Sequence, residues 1–491
     1  MKNFSVFLLT VILAASSLLA ACGSDAGAAS SAVTEKTTVD TDETTALGPL
    51  DFIPAGTDLD DMVFRIYNSS PYAEQYNEVA VEADEFTQGD IVSEAVYRRN
   101  LAVEEKLNVD IQSILEAPSD NWKLAMETAQ RQVMSGDTTY TAICTQIETA
   151  YLTILSGSLL NLKKICTINT ENSWWDSRQN DCMTYFGDRL YTLAGDINFL
   201  DNYGTSCIFL NRTMCENQGL EVPYETVKNG GWTIDFMNQM YADTYVDING
   251  DGKKDMDDRY GYSGNVNVIS RMMNGFGMGQ VYMNEENIPT VDETEKVINA
   301  IDLILEKVTN DNNFFNGKYD GAYADIFFDG RCMFMEDNFA ALVVSRSKMD
   351  DDPTVFPYPK MNESQDGYYC PVNDSYGTVY GLLANIPDPE AAGLVLEAMG
   401  AASVDTVTTE VIEKNCMVKA ARDEQTADMI TIIFKSTRYS QELICDWNDM
   451  TRLLWDTAEK GKNNYATKLA KVIGKINAAI TSDMDVIGGL D

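Results

Sequence analysis

Met62-Val63-Phe64-Arg65-Ile66-Tyr67, the turn-prone Asn68-Ser69-Ser70-Pro71, the stretch from Asp90 to Asn108, and Val109-Asp110-Ile111-Gln112 beyond it decide the fold. The first run is β-branched and aromatic and ends in turn residues, which predicts an opening strand followed by a loop. From Asp90 to Asn108, Val92, Val96, Val103 and Leu107 recur at helical spacing with charges between them, and Val109 to Gln112 then reads as a strand. This is the start of a β-α-β pattern. Further along, Asp120 to Met134 predicts a helix stopped by Gly136, and Tyr140-Thr141-Ala142-Ile143-Cys144 a further strand, so the class is α/β with a parallel sheet. Leu190 to Ile197 and Cys207 to Leu210 are two more expected strands, and from Pro389 onward the pattern is largely helical. Internal repeats of roughly 20 to 50 residues, the sign of a solenoid or propeller, are absent.

Composition sets the outer limits. The chain has 491 residues at 45% hydrophobic content, enough for a large core and more than one domain. Its 36 Lys and Arg against 76 Asp and Glu give a formal charge of -40, which excludes nucleic acid as a natural partner. No histidine is present, which removes imidazole bases, Ser-His and Cys-His nucleophile pairs and the commonest zinc ligand. A non-enzymatic role is the expectation.

At the N-terminus, an apolar run from Phe4 to Leu13 precedes small residues and Leu19-Ala20-Ala21-Cys22, an export signal too short for a membrane span. The tetrad resembles the lipobox of bacterial lipoproteins, in which Cys22 would be acylated and residues 1–21 removed. Residues 22–55 carry almost no large apolar side chain and read as a flexible linker. Of ten cysteines, Cys22 is the expected lipid site; the others run from Cys144 to Cys445 without a C-x-x-C pair, which suggests mostly buried thiols.

Several later segments are similar to the family of bacterial extracellular solute-binding proteins of sugar ABC importers, the maltose-binding-protein-like group. They are Tyr97-Arg98-Arg99-Asn100 with Val103 to Val109, Gly195-Asp196-Ile197 with Phe209-Leu210-Asn211-Arg212, Gly231-Trp232-Thr233-Ile234-Asp235, Gly330-Arg331-Cys332-Met333-Phe334, and Pro357-Tyr358-Pro359-Lys360. Their order behind a lipobox carries the resemblance. It implies two α/β lobes closing on a ligand about a hinge, a periplasmic-binding-protein-like fold of the class II type. Crossings between lobes are expected near residues 190–200, 330–337 and 384–390. The N-terminal lobe would then be 56–192 with 335–386, and the C-terminal lobe 193–334 with 387–491. The resemblance further implies a monomer anchored on the outer face of the cell membrane, delivering a mono- or oligosaccharide to the membrane subunits of an importer.

A sugar presents apolar faces ringed by hydroxyls, so its site needs aromatic platforms beside carboxylates and amides. The candidates are Tyr72, Trp174, Trp175, Asp201, Asn202, Trp232, Glu336, Asp337 and Tyr376, with Thr233 as the N-cap of a helix beginning beside Trp232. A tryptophan in so large a chain is also a natural core residue, and Trp232 is weighed in that direction.

The stretch Asp247-Ile248-Asn249-Gly250-Asp251-Gly252-Lys253-Lys254-Asp255-Met256-Asp257-Asp258 fits the calcium-loop template. Asp247, Asn249, Asp251, Asp255 and Asp258 supply its oxygen-bearing side chains, Lys253 a backbone carbonyl, and Gly252 the sharp turn. Asp258 stands where the template has Glu, which places the expected affinity for calcium at about 10⁻⁴ to 10⁻³ M. A structural ion is the expectation. The competing classes are a secreted glycoside hydrolase, which would need two carboxylates across a scissile bond, and a calcium-dependent adhesin.

Overall fold

A computed structural model describes residues 48–70, 77–81, 90–117, 121–317, 321–351, 353–421 and 423–490. The signal segment 1–21, Cys22, most of the linker 22–55, and Tyr72 lie outside the described residues. In chain order the strands begin with β1 (Met62–Ser69), β2 (Val109–Leu115), β3 (Ala142–Gln146), β4 (Ser206–Asn211) and β5 (Tyr260–Gly264). They continue with β6 (Val281–Met283), β7 (Pro289–Val291), β8 (Phe314–Asn316) and β9 (Cys332–Asn338). The last are β10 (Pro353–Phe356), β11 (Cys370–Pro371), β12 (Thr378–Leu382) and β13 (Thr437–Arg438).

Two sheets organise the molecule, one in the order β12-β3-β1-β2 and the other in the order β10-β4-β9-β5-β8. In the first, β1 runs parallel to β2 with Phe64 opposite Ile111, and parallel to β3 with Tyr67 opposite Ile143. The connecting helix, Ile91–Leu107, buries Val92, Ala95, Val96, Val103 and Leu107 as its spacing requires. The Asp90 side chain caps its start by accepting from the Ser93 N–H, and Asn108 ends it in the left-handed region at φ 54. The helix Leu124–Ser135 stops at Gly136, φ 71, before β3.

The second sheet is mixed. β5 runs parallel to both β8 and β9, whereas β4 is antiparallel to β9 and to β10. Every residue of β4 and of β5 is buried, as expected for strands covered on both faces. Trp232 packs with Phe236, Phe334 and Phe356 against this sheet.

The chain leaves the first sheet after Leu193, whose bridge to Tyr380 marks the sheet's edge, and enters the second at Ser206. The expected strand over 190–197 is not formed, because its polar groups find other partners. Ala194 receives the Asn180 side chain on its N–H and the Asp176 N–H on its carbonyl, and Gly195 bridges Trp175. Only glycine fits there, since a Cβ would fall 2.0 Å from the Trp174 carbonyl oxygen.

The crossing expected near 330–337 is corrected: residues 332–338 are β9, hydrogen-bonded between β4 and β5 inside the second sheet, and β10 stays in that sheet as well. The return runs instead through residues 370–377, from β11 to β12, which pairs with β3. Residues 384–390 make no crossing either. The helix Pro389–Ser403 and its continuation through Ala420 pack on the helix Ile91–Leu107, and the next helix, Glu424–Lys435, packs on β10. The third passage therefore lies near residues 420–424. The C-terminal helix, Tyr465–Gly489, then lies against both halves, touching the helix Ile147–Leu155 and β7. Its Asp483 accepts hydrogen bonds from Tyr151 Oη at 2.6 Å and Trp447 Nε1 at 2.8 Å. Among the described residues no helix is long and apolar enough to cross a membrane.

Candidate ligand cleft

In open α/β sheets ligands sit at the carboxyl ends of parallel strands. Here β1 and β3 end at Ser69 and Gln146, and β5, β8 and β9 end at Gly264, Asn316 and Asn338. Both sets meet at the crossing segments. Ile147, just after β3, donates its N–H to the Gly377 carbonyl at 3.0 Å, and Phe339, just after β9, donates to the Thr205 carbonyl at 2.8 Å. The crossings are tied to each other by the Thr205–Val372 bridge and by Asn373 N–H to Gly204 O at 3.0 Å. Ser206 and Asn338 share a side-chain hydrogen bond of 3.2 Å beside that junction. The floor of a cleft between two lobes is thereby defined.

One wall is built on the second sheet. Glu336, 0% exposed near the end of β9, accepts hydrogen bonds of 3.2 Å on Oε2 from the hydroxyls of Tyr262 and Tyr358. Its Oε1 lies 3.8 Å from Arg271 Nη1, close enough for an ion pair but too long for a hydrogen bond. Both of those atoms are buried without a hydrogen-bond partner. Next to them Tyr323 donates to Asp337 Oδ2 at 3.3 Å. Burial pushes the Glu336 carboxyl up, with Arg271 pulling the other way. Burial likewise opposes the charge of Arg271, but Glu336 foremost, with Tyr358, Tyr323 and Asp337, holds its pKa above the usual guanidinium value. The wall thus presents one donor and one acceptor, each unsatisfied.

The hinge and the first lobe add acids. Half-buried Asp374, in the turn between β11 and β12, has its carboxyl pushed up to about 7 by burial and then by Glu148 and Asp446, with Arg271 opposing. Glu148 is raised by burial and by Asp446. Deeper in the first lobe, Glu78 is 0% exposed and is pushed up to about 7 by burial, against hydrogen bonds from Thr378 and the Phe199 N–H. Buried Arg99 binds three carbonyls, those of Glu78, Val79 and Ile197, and so pins the first crossing to the lobe.

An aromatic platform also stands here. Trp122 is 51% exposed, and its carbonyl accepts a 3.2 Å hydrogen bond from Thr149, in the helix Ile147–Leu155 that starts directly after β3. The residue therefore lies beside the start of that helix, at the carboxyl end of the first sheet, with Lys123 Nζ 4.9 Å from its ring centroid. Trp122 was not among the residues singled out in the sequence; its one signal is the polar context of Asn121-Trp122-Lys123.

The expected site residues divide. Glu336 and Asp337 lie on the cleft wall, and half-buried Asn202 and Tyr376 lie at the crossing, where the Tyr376 side chain packs over Gly204. Asp201 is buried and engaged, accepting from the Tyr439 hydroxyl at 3.0 Å, with its carboxyl raised to about 6 by burial and Asp176. Trp232 is core, 0% exposed, with Nε1 donating to the Pro357 carbonyl at 2.9 Å. Thr233 caps the helix Ile234–Met240 as expected. Trp174 and Trp175 are away from the cleft: they pack along the helix Pro389–Ser403, and Trp175 Nε1 donates to Glu397 at 3.0 Å. All nine cysteines from Cys144 to Cys445 are free, and six of them are buried.

In the acidic loop Gly250 and Gly252 adopt φ of 70 and 75, as the tight template requires. Asp258 is 0% exposed and turned inward, accepting from the Ile248 and Asp255 N–H groups at 3.3 Å and the Tyr245 hydroxyl at 3.0 Å. Asp247 accepts from the Gly250 and Gly252 N–H groups, and Asp251 from the N–H and the ammonium of Lys253. Asn249 takes the Asp251 N–H and Asp255 the Asp257 N–H. The oxygens of Asp258 are thus taken up by the loop's own donors and by Tyr245. Among the described residues no three acidic, Cys or His side chains converge as metal ligands.

No family model matches this sequence, and no curated protein does so. Solved structures do match in shape. A cyclo/maltodextrin-binding protein complexed with maltotetraose superposes with a TM-score of 0.54 at 11% identity, covering 87% of this chain and 96% of that one. The galacto-N-biose-/lacto-N-biose I-binding protein of the ABC transporter from Bifidobacterium longum, in complex with lacto-N-biose, gives 0.52 at 12% identity, with 88% and 99% covered. UgpB from Mycobacterium tuberculosis in complex with glycerophosphocholine gives 0.51 at 12% identity, with 86% and 99% covered. The chain has their two-lobe fold over nearly its whole described length.

Proposed function

We propose that this chain is the lipid-anchored substrate-binding component of an ABC importer, capturing a mono- or oligosaccharide by closure of its two lobes. The observation that carries the reading is the Arg271–Glu336 pair. A donor and an acceptor, buried without hydrogen-bond partners and 3.8 Å apart on one wall of the cleft, suit the hydroxyls of a sugar. Trp122 on the opposite lobe offers a ring for the apolar face of the same ligand. A ligand that touches both walls stabilises the closed arrangement over the open one by its contacts with the second wall, and closure is the state an importer would read. The lipobox at Cys22 supports the anchor and an extracellular location, and a fold shared with the galacto-N-biose-/lacto-N-biose I-binding protein of an ABC transporter supports the partner.

No covalent step is part of this reading: the sugar is delivered unchanged, which separates it from a secreted hydrolase. In the loop at 247–258 we propose a weakly held structural calcium ion that draws together the oxygens of Asp247, Asn249, Asp251, Asp255 and Asp258 and the Lys253 carbonyl. Titrating the protein with mono- and oligosaccharides while following tryptophan emission tests the binding claim. A saturable change with one sugar, recovered chemically intact, supports it; cleaved sugar overturns it in favour of hydrolysis.

A further inference from the structure

Carboxyl groups from both lobes and from the crossing meet in the cleft. Glu336 and Asp337 stand near the end of β9, on the wall built by the second sheet. The helix Val268–Gly275, which carries Arg271, packs on β11, and Asp374 follows a short way beyond that strand. It lies in a tight turn in which the Asn373 carbonyl accepts the Tyr376 and Gly377 N–H groups at 2.9 and 3.0 Å. The end of that turn is fixed to the first lobe, since the Gly377 carbonyl accepts the Ile147 N–H at 3.0 Å, and Glu148 is the next residue. One helical turn further, Tyr151 meets the Trp447 ring edge-on at 6.2 Å, so Glu148, on the same face of its helix, neighbours Asp446. Asp446 accordingly acts with burial to raise the Glu148 carboxyl.

The balance of charge among these groups is uneven. Arg271 faces them, but its charge is already matched by Glu336 foremost and by Asp337. Glu148, Asp374 and Asp446 are half-buried, and among the described residues neither the Glu148 nor the Asp374 carboxylate forms an ion pair or accepts a side-chain hydrogen bond. Asp446 spends Oδ1 on the Thr451 N–H and hydroxyl, at 3.0 and 2.9 Å. Neighbouring cations are engaged elsewhere: Lys123 Nζ lies 4.9 Å from the Trp122 ring centroid, and Arg438 Nε donates to Asn274 Oδ1 at 3.2 Å. A second observation points the same way. Glu336 is 0% exposed, and its Oε1, turned toward Arg271, has no hydrogen-bond partner. Carboxylates withdrawn from water without matching cations are costly, and a cation brought by the ligand offsets that cost.

We propose that Glu148, Asp374 and Asp446 form a subsite for an ammonium group of the ligand, beside the Arg271–Glu336 pair that meets its hydroxyls. The inference rests on the sugar reading above and narrows it: the ligand is a sugar carrying a free, protonated amine. Such an amine presents three N–H donors, and each makes a charge-assisted hydrogen bond to a carboxylate, directly or through a water. A bare metal ion fits less well, because no three acidic, Cys or His side chains among the described residues converge as metal ligands. An anionic sugar would meet like charge from both lobes. N-acetylation of the amine removes its charge and two of its three donors, so the acetylated sugar forfeits the subsite. Since Glu148 belongs to the first lobe and Asp374 to the crossing, an ammonium held between them also favours the closed arrangement.

The test is isothermal titration of the full chain with glucosamine, galactosamine and the disaccharide of glucosamine, each beside its N-acetylated form and its neutral parent sugar, and with spermidine and choline as amines that are not sugars. The expected result is that at least one free-amine sugar binds about tenfold more tightly than its N-acetylated and neutral counterparts, and that Asp374→Asn and Glu148→Gln each remove most of this preference. A neutral or N-acetylated sugar bound as tightly as its amine would overturn this inference and leave the sugar reading standing. Spermidine or choline bound while no sugar binds, or a folded protein that binds none of these compounds, would overturn both. The wild-type comparison of amine with N-acetylated sugar decides the matter even if a variant fails to fold.

Discussion

Trp122 is half exposed, and its backbone carbonyl, through Thr149, ties the residue to the end of the first sheet. Trp122→Ala is therefore expected to weaken sugar binding about tenfold, equal to about 1.4 kcal/mol, while leaving the thermal midpoint unchanged. Parallel titration and melting curves check both halves of that statement. Glu78 gives a prediction of the opposite kind. Its folded pKa, about 7, lies above the unfolded value of 4.5, so the folded state holds the extra proton between those values and stability falls as pH rises through them. Glu78→Gln should flatten this loss, on the order of 2 kcal/mol between about pH 5 and pH 8, and melts of the two proteins across that range measure it. Identical pH profiles would refute the assignment. At this scale the cleft was only partly legible. Glu336 and Asp337 were expected because they follow the segment read as the second crossing, whereas Trp174 and Trp175 stood out as adjacent indoles. Their partner Glu397 lies 222 residues beyond Trp175, a separation that no local pattern reveals.

The first β-α-β unit was readable in the sequence at the level of elements because each end carries its own chemistry. Asp90 caps, Asn108 takes the left-handed turn, and the buried valines share one face. Removing that cap in Asp90→Ala should cost about 1 kcal/mol, measured by denaturant unfolding with an unchanged slope. The acidic loop makes a different claim, since its oxygens accept from its own amides and the proposed calcium ion would have to gather them. Millimolar calcium is expected to raise the unfolding midpoint by a few degrees, and Asp251→Ala to abolish the rise. An equal rise in that variant would move the ion elsewhere. Elements also show where local reading fails. Residues 190–197 have the apolar content of a strand, but Asn180 and the Trp174–Trp175 backbone take up their hydrogen-bonding groups, and pairing of that kind is set by tertiary structure.

For the whole molecule, two lobes follow from length, the α/β pattern and the family resemblance. The return crossings do not. β9 and β10 add to the second sheet in an order unrelated to their order in the chain, so the sequence of strands alone misplaces the return by some forty residues. What unites the molecule is the junction at Thr205–Val372, where the carboxyl ends of both sheets and both sides of the cleft converge. The central claim is that this cleft holds a sugar. Thermal unfolding of residues 55–491 against a panel of mono- and oligosaccharides tests it most directly, because a ligand that binds only the folded state raises its stability. The account predicts a clear rise with at least one sugar, reduced in Trp122→Ala. A folded protein whose midpoint no sugar moves would contradict it.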